Sequence, residues 1–474
     1  MNDVWLRLFN ARADVTLAIG LLLAVVATFH ILLSKREVAS AVGWIGLVWF
    51  APILGTLTYL VFGVNRVKRR ARLLRLRDSD PEGQSALPTP RVGGDLDSLG
   101  RGIGRITARP LLAGTTTRAY HNGDEAYPPM LAAIAAAKDS VGLSSYIFRD
   151  DIWGGRFIDA LVAAKRRGVA VRVLIDGIGG GWLRSPAYHR LRRDGVMAAR
   201  FMHSPLPWRM PFLNLRSHKK ILVVDGALGF TGGMNIADEN VMATRSRVPV
   251  QDLHFCIAGP VVSQLVEAFA QDWEFVTAES LGGDAWFPRI AQCRGSLARM
   301  IDSGPDEDLE KVEFAVLQAI SCARTSISVM TPYFLPDERL ITALSLAAMR
   351  GVIVDLVVPE RSNHALVDWA TRAHVGPLLS DGVRIWRSPS PFHHSKLMVV
   401  DMEWCLIGSC NWDIRSFRLN FELCVELYGR DLGASLTEIM RSNRGQALTQ
   451  EILDARSLLT RIRDAGARLM LPYL

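Results

Sequence analysis

The sequence predicts an α/β protein made of two tandem copies of one unit, preceded by an N-terminal transmembrane helical hairpin. Three observations carry that reading: two uncharged apolar runs near the start, a helix-then-strand pattern that recurs at offsets of 183 to 187 residues, and one polar motif that ends each copy with identical spacing. A chain of 474 residues, 49% hydrophobic and 22% charged, has room for two or three domains and a substantial core. A largely disordered chain and a small disulfide-stapled fold are excluded.

The hairpin comes first. Residues 15–33 carry no charge, and a helix of that length reaches about 28 Å, close to the hydrocarbon thickness of a bilayer. After Ser34-Lys35-Arg36-Glu37 a second uncharged run, 38–65, holds Trp44, Trp49, Tyr59 and Phe62 for the interface, and Pro52 to kink it. Two buried core helices are a competing reading. A cleaved signal peptide is a weaker one, because Asp3 and Asp14 mix with Arg7 and Arg12 and a second run follows at once.

Residues 1–77 hold 11 basic and 3 acidic side chains, and so all of the net charge of +8. Arg66, Lys68, Arg69, Arg70, Arg72, Arg75 and Arg77 place that flank, and everything after it, in the cytoplasm by the positive-inside rule. The rest of the chain is neutral overall, which argues against nucleic acid as a partner. Cys256, Cys293, Cys322, Cys405, Cys410 and Cys424 contain no C-x-x-C pair and read as reduced, mostly buried thiols, with neither a zinc site nor a disulfide framework.

Composition then divides the chain into the anchor (1–68), a basic then Pro/Gly-rich linker (69–112), a first lobe (113–280), a connector (281–305) and a second lobe with a C-terminal helix (306–474). The lobes echo each other. The helical 132–140 runs into LSSYIF, and 317–326 runs into VMTPYF. RRGVAVRVLID (166–176) is answered by MRGVIVDLVVP (349–359), each a helix end, a Gly stop and a β-branched strand. Asp194-Gly195-Val196 is matched by Asp381-Gly382-Val383. The Gly run 177–181 follows a strand and reads as a tight turn.

Each copy ends in H-x-K-x4-D-x6-G-[GS]-x-N. The first set is His218, Lys220, Asp225, Gly232, Gly233 and Asn235; the second is His394, Lys396, Asp401, Gly408, Ser409 and Asn411. Chance supplies H-x-K-x4-D about 0.01 times in a chain of this composition. On a strand the His and Lys share a face, the apolar ILVV or LMVV continues into the core, and Asp225-Gly226 turns the chain back as a paired strand. The glycines are expected to let backbone approach a ligand. Two imidazoles, two ammonium groups and two amides suit an anionic phosphodiester: one ring attacks phosphorus, the other protonates the leaving oxygen, and no metal or other cofactor is required. The competing reading is a set of satisfied polar residues at a domain interface. Asp252 and Glu422, each in an apolar strand-like stretch, are expected to orient the imidazoles, against the alternative of ordinary salt bridges.

The paired motifs resemble those of the phospholipase D superfamily. Their surroundings, PILGTLTYLVFGVNR in the second run, YIFRDD (146–151), TPYFLPD (331–337) and NWDIRSFRLNFE (411–422), resemble its bacterial cardiolipin synthase branch over nearly the whole chain. The resemblance implies two phospholipase D-type α/β sandwich lobes forming one pseudo-two-fold catalytic unit, and a phosphatidyltransferase of the bacterial inner membrane acting on phosphatidylglycerol. It further implies His218 as nucleophile, His394 as general acid then base, Lys220, Lys396, Asn235 and Asn411 as phosphate ligands, and Asp225 and Asp401 as braces for the catalytic motif. Where such relatives usually show Trp-Arg before Asp252, this chain has Val250-Gln251. A phospholipase D-type hydrolase, a nuclease and a catalytically inactive lipid-binding scaffold are the alternatives.

Two segments stay open. Residues 202–216, with Trp208, Arg209 and Phe212, read either as a lipid-entry loop or as a Pro-rich surface loop. The C-terminal stretch with Ile452, Leu458, Leu459 and Ile462 reads as a helix that docks on the core or lies on lipid.

Overall fold

The computed structural model describes residues 2–34, 38–63, 90, 92–204, 215–290, 294–305 and 308–469. They fall into an N-terminal unit and a unit that holds both lobes. The basic run 66–77, residues 78–89 and 91 of the 78–110 stretch, Cys293 and the 205–214 part of the 202–216 loop lie outside the described residues.

In the N-terminal unit, α1 spans Asn2–Ser34, and its Asp14–Ser34 part is long and apolar enough to cross a bilayer. Ala24, Ala27 and Ile31 form its packed stripe with Val48 and Tyr59, while Val15, Leu22, Phe29 and Leu33 stay exposed. A helical hairpin forms, but its second limb differs from the expected kinked span. Pro52 cannot donate an N–H, and it opens a new helix instead of bending an old one. The limb is therefore α2 (Val38–Phe50) followed by α3 (Pro52–Thr58). α3 runs back beside α2: the rings of Trp44 and Tyr59 are 5.3 Å apart, and a Cβ on Gly55 would collide with the Leu47 carbonyl. Pro52 packs at Gly20, and Tyr59 hydrogen-bonds His30 Nδ1 at 2.7 Å. At roughly 20 Å and 10 Å, neither short helix crosses a bilayer alone.

The second unit is organised by one continuous sheet. From the first lobe come Met197–Phe201, Ala170–Asp176, Ser140–Ser145, Ile221–Val224, Leu228–Gly232, Leu253–Ala258 and Leu112–His121, in that spatial order. The last pairs antiparallel with Ser296–Ser303, and the second lobe repeats the pattern outward through Asn420–Tyr428, Trp404–Gly408, Leu397–Val400, Ser326–Met330, Ile353–Pro359 and Arg384–Ser388. The repeat seen in the sequence is thus a repeat of topology. Ile221–Val224 and Leu397–Val400 are buried at every position because helices cover both faces. Asp225 and Gly226 both have positive φ, giving the tight hairpin turn that Asp-Gly favours. In the second copy Asp401 and Met402 take the same conformation without a glycine.

Part of the stretch read as linker is structured. Asp97–Thr107 is a helix whose Leu99 and Ile103 join the second lobe's core. Its glycines hid the apolar spacing and serve close packing: a Cβ on Gly104 would sit 2.8 Å from the Arg299 guanidinium. Arg299, 1% exposed, donates to the Gly100 and Arg109 carbonyls and pairs with Glu426, which also accepts from Trp404 and Tyr428. Glu426→Ala strands a buried guanidinium, for which a loss of roughly 3–5 kcal/mol is expected. Thermal unfolding of the detergent-solubilised protein should show the midpoint falling by several degrees; an unchanged midpoint would refute the role.

Candidate active site

Two short parallel pairings bring the lobes' polar motifs together. Arg216–Ser217 pairs with Asn420–Phe421, so the next residues along, His218 and Glu422, are neighbours. Phe392–His393 pairs with Val250–Gln251, which sets His394 beside Asp252 in the same way. The orienting carboxylates are therefore exchanged between lobes. His218 Nδ1 lies 3.0 Å from Glu422 Oε2, and His394 Nδ1 lies 2.9 Å from Asp252 Oδ2. Offsets of 34 and 28 residues within each copy did not reveal which ring each acid would meet.

These contacts fix the tautomers. His218 Nδ1 is also 3.0 Å from the Ser409 carbonyl, which can only accept, so Nδ1 carries the proton and Nε2 keeps its lone pair. Asp252 accepts the Nδ1–H hydrogen bond of His394 in turn. Lys396 Nζ lies against the edge of the His394 ring, 2.8 Å from Nδ1 and 3.1 Å from Nε2, whereas no described residue engages His218 Nε2. Each lysine donates to the carbonyl of its own histidine, Lys220 Nζ at 2.7 Å, and Lys220 sits over the Tyr146 ring. Between His218 and Lys220, Lys219 points the other way and pairs with Asp272, as strand alternation requires.

The glycine positions have a different use from the one expected. A Cβ on Gly233 would come within 2.6 Å of both Asp252 carboxylate oxygens. The matching Ser409 donates its hydroxyl to Glu422 at 2.5 Å. This position thus seats the acid, not a ligand. Asp225 and Asp401 also stand away from the cavity. Asp225 accepts the amides of Lys138, Asp139 and Ser140, and Asp401 those of Arg324, Thr325 and Ser326. They tie each motif strand to the preceding helix end. The Gly run 177–181 is a turn held by Asp176, which accepts from Ile178 and Gly179.

His218, His394, Asn235 and Asn411 line one cavity of about 380 Å³ together with Tyr146, Arg216, Tyr333, Phe392 and Arg415. The Asn235 amide oxygen accepts from Ile147, which leaves its NH2 group to donate. Sequence reasoning missed Arg216 and Arg415; the available signal was their place in or beside the matched segments. The C-terminal helix Leu458–Arg468 packs on Ala365–His374 through Asp464 and Ala467, with Leu458, Leu459 and Ile462 exposed.

Burial decides the charge states. It pushes His218 well below the usual imidazole value, with Lys220 and Lys396 adding to the effect. It takes His394 down to about 3, Lys396 adding and Asp252 opposing. Both rings are thus neutral in the empty site. Burial also lowers Lys220 to about 7 and Lys396 to about 8 against the pull of the nearby carboxylates, and raises Glu422 to about 7. Asp252 feels the same burial, but its bond to His394 and the charge of Lys396 outweigh it and hold the carboxyl at about 2. Such a cavity accepts an anion, offers one ring nitrogen as nucleophile and keeps a second beside an ammonium proton source.

The family described as "Cardiolipin synthase, PLD-like domain" matches residues 130–273 and 316–443, and "Phospholipase D-nuclease N-terminal" matches 22–63. Cardiolipin synthase of Geobacillus kaustophilus (strain HTA426) is 34% identical over 93% of this chain and 90% of its own length. Cardiolipin synthase A of Pseudomonas aeruginosa (strain UCBPP-PA14) is 33% identical over 95% and 94%. Among solved structures, phosphatidylserine synthase of Haemophilus influenzae Rd KW20 shares the fold at a TM-score of 0.60 and 13% identity, covering 79% of this chain and 100% of that one.

An anion entering the cavity restores protons to the lysines that burial has partly discharged, so binding near pH 8 takes protons up. Calorimetry of sulfate binding in two buffers of different ionisation enthalpy should show an uptake of up to about one proton. Heats independent of the buffer would mean that both lysines are already charged.

Proposed function

The chain belongs to the phospholipase D-like cardiolipin synthase family, and from that membership and the cavity's geometry we propose that it transfers the phosphatidyl group of one phosphatidylglycerol to another, giving cardiolipin and glycerol. The observation that carries the assignment of roles is the asymmetry of the two rings: no described residue engages His218 Nε2, while Lys396 lies against the His394 ring within reach of both its nitrogens. His218 Nε2 forms a bond to phosphorus as the bond to the glycerol oxygen breaks, and His394, protonated once the substrate anion offsets the lysine charges, gives that oxygen its proton. The neutral His394 then takes the proton of the second lipid's hydroxyl. That oxygen bonds phosphorus, and the electron pair of the P–N bond returns to His218. Lys220, Lys396, Asn235 and Asn411 hold the non-bridging oxygens through both steps. Asp252 and Glu422 act through the rings they orient, and Asp225 and Asp401 through the strands they brace.

His218→Ala removes the bond-forming atom and abolishes cardiolipin formation from phosphatidylglycerol vesicles. His394→Ala lowers it by about 10²–10⁴-fold and leaves a lipid-sized mass increase on the protein. Lipid mass spectrometry reads both. Wild-type turnover in His218→Ala would sink the assignment, and free phosphatidic acid as the main wild-type product would mean that water, not lipid, resolves the intermediate.

The anchor supports a location at the bacterial inner membrane with the lobes in the cytoplasm. α3 returns along α1 from Gly20 toward His30, so residue 63 leaves on the side of Ser34, opposite the N-terminus. In the sequence Lys35 and Arg36 directly follow Ser34 and seven cations follow residue 63, and the positive-inside rule favours the cytoplasm for both groups. A cysteine at Asn2 should react with a membrane-impermeant thiol reagent in intact spheroplasts, and one at Ser34 only after lysis. The reverse pattern would mean two complete crossings.

A further inference from the structure

The two-fold relation between the lobes fails at two pairs of positions in the cavity. Two residues before each motif histidine stand Arg216 and Phe392, and four residues after each motif asparagine stand Glu239 and Arg415. Glu239 is paired to Arg149 at 3.1 Å. The strand pairing that sets Arg216 against Asn420 also brings it near Arg415, since the two guanidiniums sense each other's charge. Both cations therefore gather at the His218 end of the cavity, while Phe392, Val250, Leu335 and Val367 line the other. Asp176 accepts from Ile178, Gly179 and Ser217 and also attracts Arg216, and Asp413 caps its helix through Ser416 N–H and also attracts Arg415, so each of the two cations stands beside one acid. Tyr146 spans the gap to the reacting centre. Its ring meets His218 edge-on at 5.0 Å between centroids, and its hydroxyl pairs with Arg216.

The reaction proposed above needs a second anion site. When the acceptor lipid arrives, the phosphorus bound to His218 already occupies the lysines and asparagines, yet the acceptor brings a phosphodiester of its own, three carbons from its attacking hydroxyl. We propose that Arg216 and Arg415 form a second phosphate subsite, one phenol ring away from the nucleophile, that holds the acceptor's phosphate and so selects phosphate-bearing alcohols over plain ones. This inference rests on the transfer reading of the site.

The test compares two soluble acceptors, glycerol 3-phosphate and glycerol, each isotopically labelled, for incorporation into lipid from phosphatidylglycerol vesicles by the full-length protein. Wild type should favour glycerol 3-phosphate, and Arg415→Gln should lower the ratio of the two rates by about tenfold or more, Arg415→Lys restoring part of it. Arg216→Gln should act in the same direction. An unchanged ratio, or a parallel fall of both rates, would overturn the subsite while leaving transfer intact. Wild type that forms cardiolipin from the same vesicles but incorporates glycerol 3-phosphate no better than glycerol would overturn the subsite alone, whereas failure to form cardiolipin would overturn the transfer reading, and this inference with it.

Discussion

The exchange of carboxylates between lobes is the constraint from which the rest of the site follows. Glu422 and Asp252 have no exposed surface worth noting, and an ionisable group so buried needs a partner that keeps its place. That partner is the imidazole of the other lobe, and the two short parallel strand pairs fix the register that delivers it. A single lobe would present a ring without its acid and an acid without its ring. Duplication is thus a requirement of the chemistry, since neither histidine has a defined tautomer until both halves are assembled.

The sheet explains why these contacts hold their geometry. Each motif strand is buried on both faces, and Asp225 or Asp401 ties its far end to the preceding helix by three backbone amides. At the near end the chain is so close to the acid that the first lobe tolerates only glycine at position 233, whereas the second fits a serine whose hydroxyl becomes part of the acid's bonding. Motif residues that look alike in the sequence therefore divide into those that meet the cavity and those that hold the frame.

That division marks how far the sequence could be read. The tandem lobes, the strands after Gly168 and Gly351, the shared face of His and Lys, and the turn at Asp225-Gly226 all follow from period-two patterning and local turn chemistry, and each is found in the fold. Readings that depended on distant contacts went further astray. The helix Asp97–Thr107 looks like linker because its glycines dilute the apolar spacing, yet those glycines are what let it approach Arg299. Pro52 suggested a kink, and only packing against α1 reveals a reversal. No spacing within one copy could say that Asp252 and Glu422 would cross to the other.

Near-symmetry leaves open how the two rings come to differ, and the answer lies just outside the motif. Both rings are largely buried and neutral, both lean on an acid, and both precede a lysine by two positions. Yet, although both lysines donate to their own histidine's carbonyl, Lys220 sits over the face of Tyr146 and no described residue engages the Nε2 of its histidine, whereas Lys396 lies against the ring of His394. The acids differ in step: Asp252 stays ionised, while Glu422 is raised to about 7 and so pulls less strongly on the ring it orients. A ring beside an ammonium group and a firm carboxylate is suited to hold and release a proton. A ring with a free lone pair in a cationic end of the cavity is suited to meet phosphorus. The difference between the two rings is thus set by residues that break the repeat, acting on a pair of histidines that the repeat made alike.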